Sequence, residues 1–322
     1  MRTVIAYLIY IPVQIAALPL TIVGATMIFY TQMFVSRRLG VSSTAIEIIN
    51  GRWTMDRFGL RKDHATVKLF QALPNTTAVG QWLTLTPLYI LQKISGKHLI
   101  YPNFKKAPEA GLANLVTTRT VYFDQILEQS FKTSEQFVVL GAGFDTRCFG
   151  SLPPATLIKR FELDKKNTQD LKIKALKKGG IDLNSTLFVN VDFNTESWAE
   201  KLQEAGYDST KKTTFLWEGV SLYLSAKQVH MTLQEIQKNG AKGSVIVADF
   251  YGEDFVKGKR IKGTELMELT QEEFGYGITF QGAGSQELHT LAKDCQLQLG
   301  KVHYMGSALK KGTWMCVSEL IL

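Results

Sequence analysis

The chain has 322 residues, 45% of them hydrophobic, which is enough for one substantial folded domain with additions at its edges and too apolar for a disordered chain. Its formal net charge of +8 is spread along the sequence instead of gathered in one basic block, so it suits an anionic membrane surface at least as well as nucleic acid. Cys148, Cys295 and Cys316 lie far apart with no Cys-x-x-Cys pair, and this spacing indicates neither a disulfide framework nor a zinc site.

The first element is the most distinctive in composition: residues 3–36 contain no charged side chain. A spanning helix needs only about 20 such residues, and the apolar part of a secretory signal covers about 7 to 15. Residues 1–36 are therefore expected to form a membrane anchor, and because Pro12 and Pro19 can each kink a helix, both a single tilted span and a re-entrant hairpin stay open. Arg37 and Arg38 close the stretch and Arg52, Arg57, Arg61 and Lys62 follow, against Arg2 alone on the other side. The positive-inside tendency then places the long remainder on the cytosolic face. A second apolar run, WLTLTPLYIL at 82–91, is short and interrupted by Pro87, so it is expected to lie along the interface or pack on the domain. Residues 37–115 read as a helical cap or linker.

From residue 116 to 322 short apolar runs alternate with longer helical segments, the pattern of an α/β domain with a mostly parallel sheet. Strands are expected at QFVVLGA, TLIKRFEL, TLFVNVD, TTFLWEGV and GSVIVADF. The segments between them carry apolar residues at three- and four-residue spacing with lysine-rich outer faces, as surface helices do. At the end, LQLGKVHYMG and GTWMCVSELIL are joined too closely for a crossover helix and should pair antiparallel. A polar insert, 251–290, separates the fifth strand from the last helix.

Ligands of open α/β sheets bind beyond the carboxyl ends of the strands, and four strands here run out into an acid or glycine cluster. The first ends in Gly141, Gly143 and Asp145, the second in Glu162 and Asp164, the third in Asp192 and Phe193, the fourth in Glu218 and Gly219. Glycines let a ligand approach the backbone, an acid after the second strand can accept both ribose hydroxyls, and Asp192 can accept from an adenine amine. Just upstream, LVTTRTVYFDQILEQ reads as a helix bearing Arg119, whose planar fork suits a carboxylate.

Arg119-Thr120 with Tyr122-Phe123-Asp124, then VVLGAGFDTR, FELD, NVDF and FLWEGVSLYL, resemble the leucine carboxyl methyltransferase family of S-adenosylmethionine-dependent O-methyltransferases over roughly residues 115–250. The resemblance implies a Rossmann-like class I methyltransferase sheet with a terminal antiparallel hairpin, here preceded by the transmembrane or helical N-terminal region. It implies S-adenosyl-L-methionine as cofactor, with Arg119 on the methionine carboxylate, Gly141 and Gly143 lining the cofactor, Asp164 on the ribose and Asp192 with Phe193 framing the adenine. Glu218 would face the methionine amino group and the substrate, and Asp145 would support the turn. Asp63-His64-Ala65-Thr66-Val67-Lys68 resembles a family segment whose lysine reaches the cofactor carboxylate. The charge-free N-terminus has no counterpart in the soluble phosphatase methyltransferase.

The expectation is then a membrane-anchored O-methyltransferase whose partners are the lipid bilayer and a lipophilic acceptor: a small molecule, a lipid or a protein carboxyl terminus. A carboxylate acceptor needs no general base, whereas a hydroxyl needs one; His64, His230, Glu218 and Tyr223 are available, and none is assigned. The alternatives are a non-catalytic tethered cofactor-binding module and a nicotinamide-dependent oxidoreductase. Trp217-Glu218-Gly219 after the fourth strand, in place of Asn or Asp followed by Pro-Pro and an aromatic, speaks against nucleic-acid methylation.

Overall fold

The computed structural model describes residues 2–96, 114–152, 155, 157–183, 185–193, 195–258, 274–307 and 312–322. The charge-free stretch forms α1 (Arg2–Phe29), continuous through both prolines, and runs on through a π-helical turn at Tyr30–Val35 into α2 (Ser36–Leu39). Gly40, at φ +65°, ends it by taking the left-handed conformation that glycine adopts at least steric cost. This composite helix, taken as Ile5–Leu39, is long and apolar enough to cross a membrane.

Three more helices follow: α3 (Ser43–Arg57), α4 (His64–Ala72) and α5 (Ala78–Ser95). Ser42, Asp63 and Thr77 cap their N-termini, each side chain accepting a backbone N–H of the first turn. The 82–91 run thus lies inside a longer helix that accommodates Pro87. Much of the region from 97 to 115, expected as the rest of the cap, lies outside the described residues, as does much of the 251–290 insert.

The remainder is the expected α/β layout. After α6 (Leu115–Ser130) come β1 (Gln136–Leu140), β2 (Lys159–Asp164), α7 (Lys166–Lys178), β3 (Thr186–Asn190), α8 (Trp198–Glu204), β4 (Thr213–Trp217), α9 (Ala226–Asn239) and β5 (Val245–Tyr251). The short α10 (Glu253–Val256), then α11 (Gln286–Asp294), β6 (Gln298–Met305) and β7 (Met315–Ile321) complete it. One seven-stranded sheet has the order β3-β2-β1-β4-β5-β7-β6. Its first five strands are parallel, and β7 enters antiparallel to both β5 and β6.

Alternation along β1 explains why the strands read as continuous apolar runs. Val138 and Leu140 pack with α8, α9 and α11 on one face, while Phe137 and Val139 pack with α6 on the other, so both faces are core. A third cluster joins Ile46, Ile49 and Trp53 of α3 to Phe70 of α4 and Leu176 of α7, with Phe144 of the first strand-end turn inserted among them. That insertion seats the N-terminal helices over the carboxyl ends of the strands.

Candidate functional site

A cavity of about 630 Å³ opens where the strands run out, within the usual range for a small-molecule or cofactor site. Gly141, Gly143, Asp145, Asp164, Phe193, Glu218 and Arg119 all line it. The topology brings them together: β1 lies between β2 and β4, so the ends of these three strands converge where the sheet order reverses.

The first turn is closed by backbone geometry. Gly141 and Gly143 take φ of +68° and +47°, and a methyl group on Gly141 would lie 2.7 Å from Val220 Cγ2. Asp164 fixes the turn from the neighbouring strand: its Oδ2 accepts from Gly143 N at 2.5 Å and its Oδ1 from Lys165 N at 2.7 Å. Burial raises the Asp164 pKa, and these two backbone donors oppose the rise. Each carboxylate oxygen retains acceptor capacity beyond these bonds.

In the cavity wall and behind it lies a largely buried network of four arginines, Arg52, Arg61, Arg119 and Arg147, and five carboxylates, Asp63, Asp124, Asp145, Glu218 and Asp249. Glu218 is its hub, with Arg147 Nη1 at 2.6 Å, Arg52 Nη2 at 2.9 Å and Arg119 Nη2 at 3.2 Å. Burial alone would raise the Glu218 pKa, but Arg52, Arg147 and Arg119 outweigh it and pull it down to about 2. Asp145 follows the same logic: burial opposes ionisation, while Arg147 and Arg52 hold it well below the usual carboxylate range. Asp249 behaves oppositely, because burial dominates the nearby Arg119 and lifts it to about 6.

Arg119 pairs through Nη1 with Asp249 at 3.2 Å and also meets the Tyr251 hydroxyl, yet its buried Nε has no hydrogen-bond partner among the described residues. The Asp-Thr-Arg that follows the glycines ties the turn to the N-terminal helices. Asp145 accepts from Arg52 of α3, Thr146 shares a hydroxyl hydrogen bond with Thr66 of α4, and Arg147 donates to Asp124 of α6 at 2.8 Å. Asp63 caps α4 and accepts from Thr146, so this segment serves the turn, while Lys68 lies exposed and outside the cavity lining. Asp192 also lies outside the lining, its backbone N–H donating to Glu196 Oε2, and only Phe193 of that pair faces the cavity.

Arg52 and Asp249 are among the network residues that a strand-end reading does not reach. Arg52 lines the cavity from α3, and its signal is its place beside the buried stripe Ile46, Ile49 and Trp53. Asp249 interrupts the apolar run of β5 and is fully buried. An acid inside such a run is itself a mark of a partnered charge.

The other half of the cavity is apolar and aromatic, with Ile48, Leu115, Leu222, Tyr251, Phe255 and Phe274. A short hydroxyl chain, Ser42 to Thr44 to Tyr223, runs along its rim with both links at 2.8 Å. His64 and His230 do not line it.

Residues 79–237 match the model of the leucine carboxyl methyltransferase family, which overlaps the motif resemblance from α6 to α9. A protein of Mycobacterium tuberculosis (strain H37Ra), named provisionally as an S-adenosyl-L-methionine-dependent methyltransferase, is 28% identical over 160 residues, 49% of this chain and 50% of its own. One of Mycobacteroides abscessus with the same name is 30% identical over 139 residues, 42% of this chain and 45% of its own. The chain thus matches about half the length of these curated relatives. Among solved structures, an O-methyltransferase family protein from Burkholderia thailandensis aligns over 98% of this chain and 97% of its own, at 13% identity and a TM-score of 0.46.

Proposed function

We propose that this chain is a membrane-attached S-adenosyl-L-methionine-dependent O-methyltransferase acting on a carboxylate or hydroxyl of a lipophilic molecule, a lipid or a protein carboxyl terminus. In this reading residues 1–36 attach it to the membrane, 37–115 cap the acceptor pocket, and 116–322 form the transferase domain on the cytosolic face. The observation that carries it is one cavity with two chemistries: polar strand ends joined by Arg52 and Arg119, and an apolar, aromatic set from α3, α6, the end of β5, α10 and the insert.

The polar half fits the cofactor. Asp164 accepts from the ribose hydroxyls, the two glycines let the nucleoside approach the backbone, and Phe193 covers the adenine. The Nε of Arg119, without a hydrogen-bond partner among the described residues, supplies a donor for the methionine carboxylate, and Glu218 an acceptor for its ammonium. Asp192 contributes at most from outside the lining. Bound there, the cofactor supplies an electrophilic methyl group on sulfonium, and the protein's part is to align the acceptor and exclude water.

The lining favours an acceptor that needs no base. Glu218 and Asp145 are held ionised and weakly basic by their arginines, both histidines lie outside the lining, and Tyr223 is the remaining candidate base that lines the cavity. A carboxylate whose apolar tail occupies the Phe255 and Phe274 side therefore fits best, and residues 40–52, which directly follow the apolar helix, lead a membrane-borne acceptor to the rim.

The test is transfer of a radiolabelled methyl group by the full-length protein in lipid vesicles, offered long-chain carboxylic acids, long-chain alcohols and carboxyl-terminal peptides. Base-labile label on the carboxylates is the expected result. Base-stable label would assign a hydroxyl acceptor, and S-adenosylhomocysteine binding without transfer to any class would favour a binding module.

A further inference from the structure

The N-terminal helix is not a free rod. Gly80 of α5 lies against Gly24 and Ile28 of α1, and Thr84 lies against Gly24, so the two helices run antiparallel. A methyl group on Gly24 would sit 2.6 Å from both Gly80 O and Thr84 Oγ1, a close approach that only small residues permit.

The opposite side of α5 rests on the domain. Trp82 meets Trp53 edge-on at 5.5 Å, Tyr89 meets Phe58 at 5.7 Å, and Gln92 Nε2 donates to Phe58 O at 2.8 Å. Along α5 only Val79, Thr86 and Lys93 are exposed, one line at seven-residue intervals. This helix is therefore the middle layer between α1 and α3. Its chain enters from α4, which packs on α7, and returns at α6, which lines the cavity.

That layering limits how α1 can meet a bilayer. If α1 crossed upright, α5 would be carried to the same depth, and with it the Trp53 and Phe58 side of the domain that packs on its other face. An isolated interfacial helix needs a polar face, and α1 has none. Here α5 takes the place of that face. The other side of α1 presents Leu8, Ile11, Ile15, Leu18, Ile22 and Phe29, all exposed and three, four or seven residues apart. Arg37 and Arg38 stand exposed where the helix ends.

We infer that α1 lies along the surface of an anionic bilayer, its apolar side in the acyl boundary and Arg37 and Arg38 on lipid phosphates, as the outer layer of an α1–α5–α3 stack. This rests on the membrane attachment proposed above and fixes its mode as attachment to one leaflet. The first 36 residues then hold the mouth of the cavity at headgroup level, instead of tethering the domain at the end of a rod.

The three native cysteines are buried, so a Thr3→Cys variant of the full chain carries one reactive thiol near the N-terminus. The protein would be added to sealed phosphatidylcholine–phosphatidylglycerol vesicles and exposed to a membrane-impermeant maleimide, with a cooperative thermal transition in the same sample reporting a folded domain. Attachment to one leaflet predicts vesicle-bound protein labelled as completely before detergent as after it. Removing the charges with R37Q/R38Q should lower partitioning roughly tenfold or more, since each basic residue near such a surface contributes on the order of fivefold. Labelling of bound protein only after detergent means that α1 spans, which overturns this inference and leaves membrane attachment standing. Folded protein that ignores the vesicles overturns both, and if it elutes as a discrete dimer, a second copy covers the apolar side.

Discussion

The strand ends and the N-terminal helices build the same cavity in different ways. At the strand ends each contributing residue closes a contiguous apolar run, and backbone geometry places it: Gly141, Gly143, Asp164 and Glu218 sit where β1, β2 and β4 stop. The helices contribute by long-range pairing, with Arg52 reaching Asp145 and Glu218 across 93 and 166 residues of sequence. A site whose charges are shared between two such regions is braced by the network, so perturbing either region should be felt in the other.

The largest expected effect comes from removing the residue that joins them. Arg147 is fully buried and pairs with Asp124, Asp145 and Glu218. Arg147→Met should destabilise the fold by about 3–5 kcal/mol, because its partners remain as buried charges. Denaturant unfolding measures this, and a loss below about 1 kcal/mol would mean the two regions are not coupled through it.

A smaller effect, confined to the strand ends, is expected from Gly141→Ala. Both the φ of +68° and the contact with Val220 oppose a side chain, for about 1–3 kcal/mol in stability or ligand affinity. Adding Val220→Ala relieves the contact alone, so rescue should be partial; complete rescue would show that the backbone conformation is unstrained. Asp164→Ala should leave the helices undisturbed and weaken binding of S-adenosylhomocysteine by about 1–3 kcal/mol, through ribose hydroxyls left unpaired. An unchanged dissociation constant removes Asp164 from the site.

The mildest test varies pH. Burial lifts Asp249 from an ordinary 3.8 to about 6, against the pull of Arg119. The folded protein therefore holds this proton more tightly than the unfolded chain, and the Asp249 contribution to stability falls as pH rises from about 4 through about 6. Its slope is at most about 1.4 kcal/mol per pH unit. Asp249→Asn should remove that slope in unfolding measurements across the window; the same slope in the variant would assign it elsewhere, with Glu162, lifted to about 7 by burial, the next group to change.

The sheet and most of its cavity-lining residues were legible because their signals are local. Each strand reads as an apolar run, each turn as glycine and acid, and the connection before the last strand leaves too little chain for a crossover. The strand order beyond β5 was less accessible, since an antiparallel pair does not reveal that β7, the last strand, inserts beside β5. Arg52 was hidden for a related reason: an arginine in INGRWTMDR looks like a surface residue until α3 is placed over the strand ends. Lys68 shows the converse, a motif match whose cap, Asp63, holds the turn while the lysine itself faces solvent. Asp192, sought for the adenine, lies just past β3 and turns its backbone to Glu196.

Calorimetric titration of the detergent-solubilised full-length protein with S-adenosylhomocysteine, with NADH as a parallel titrant, tests the central claim most directly. The cradle of Asp164, Gly141 and Gly143 predicts saturable binding of the former alone, weakened in Asp164→Ala. Folded protein that binds neither, or that binds NADH in preference, would contradict it.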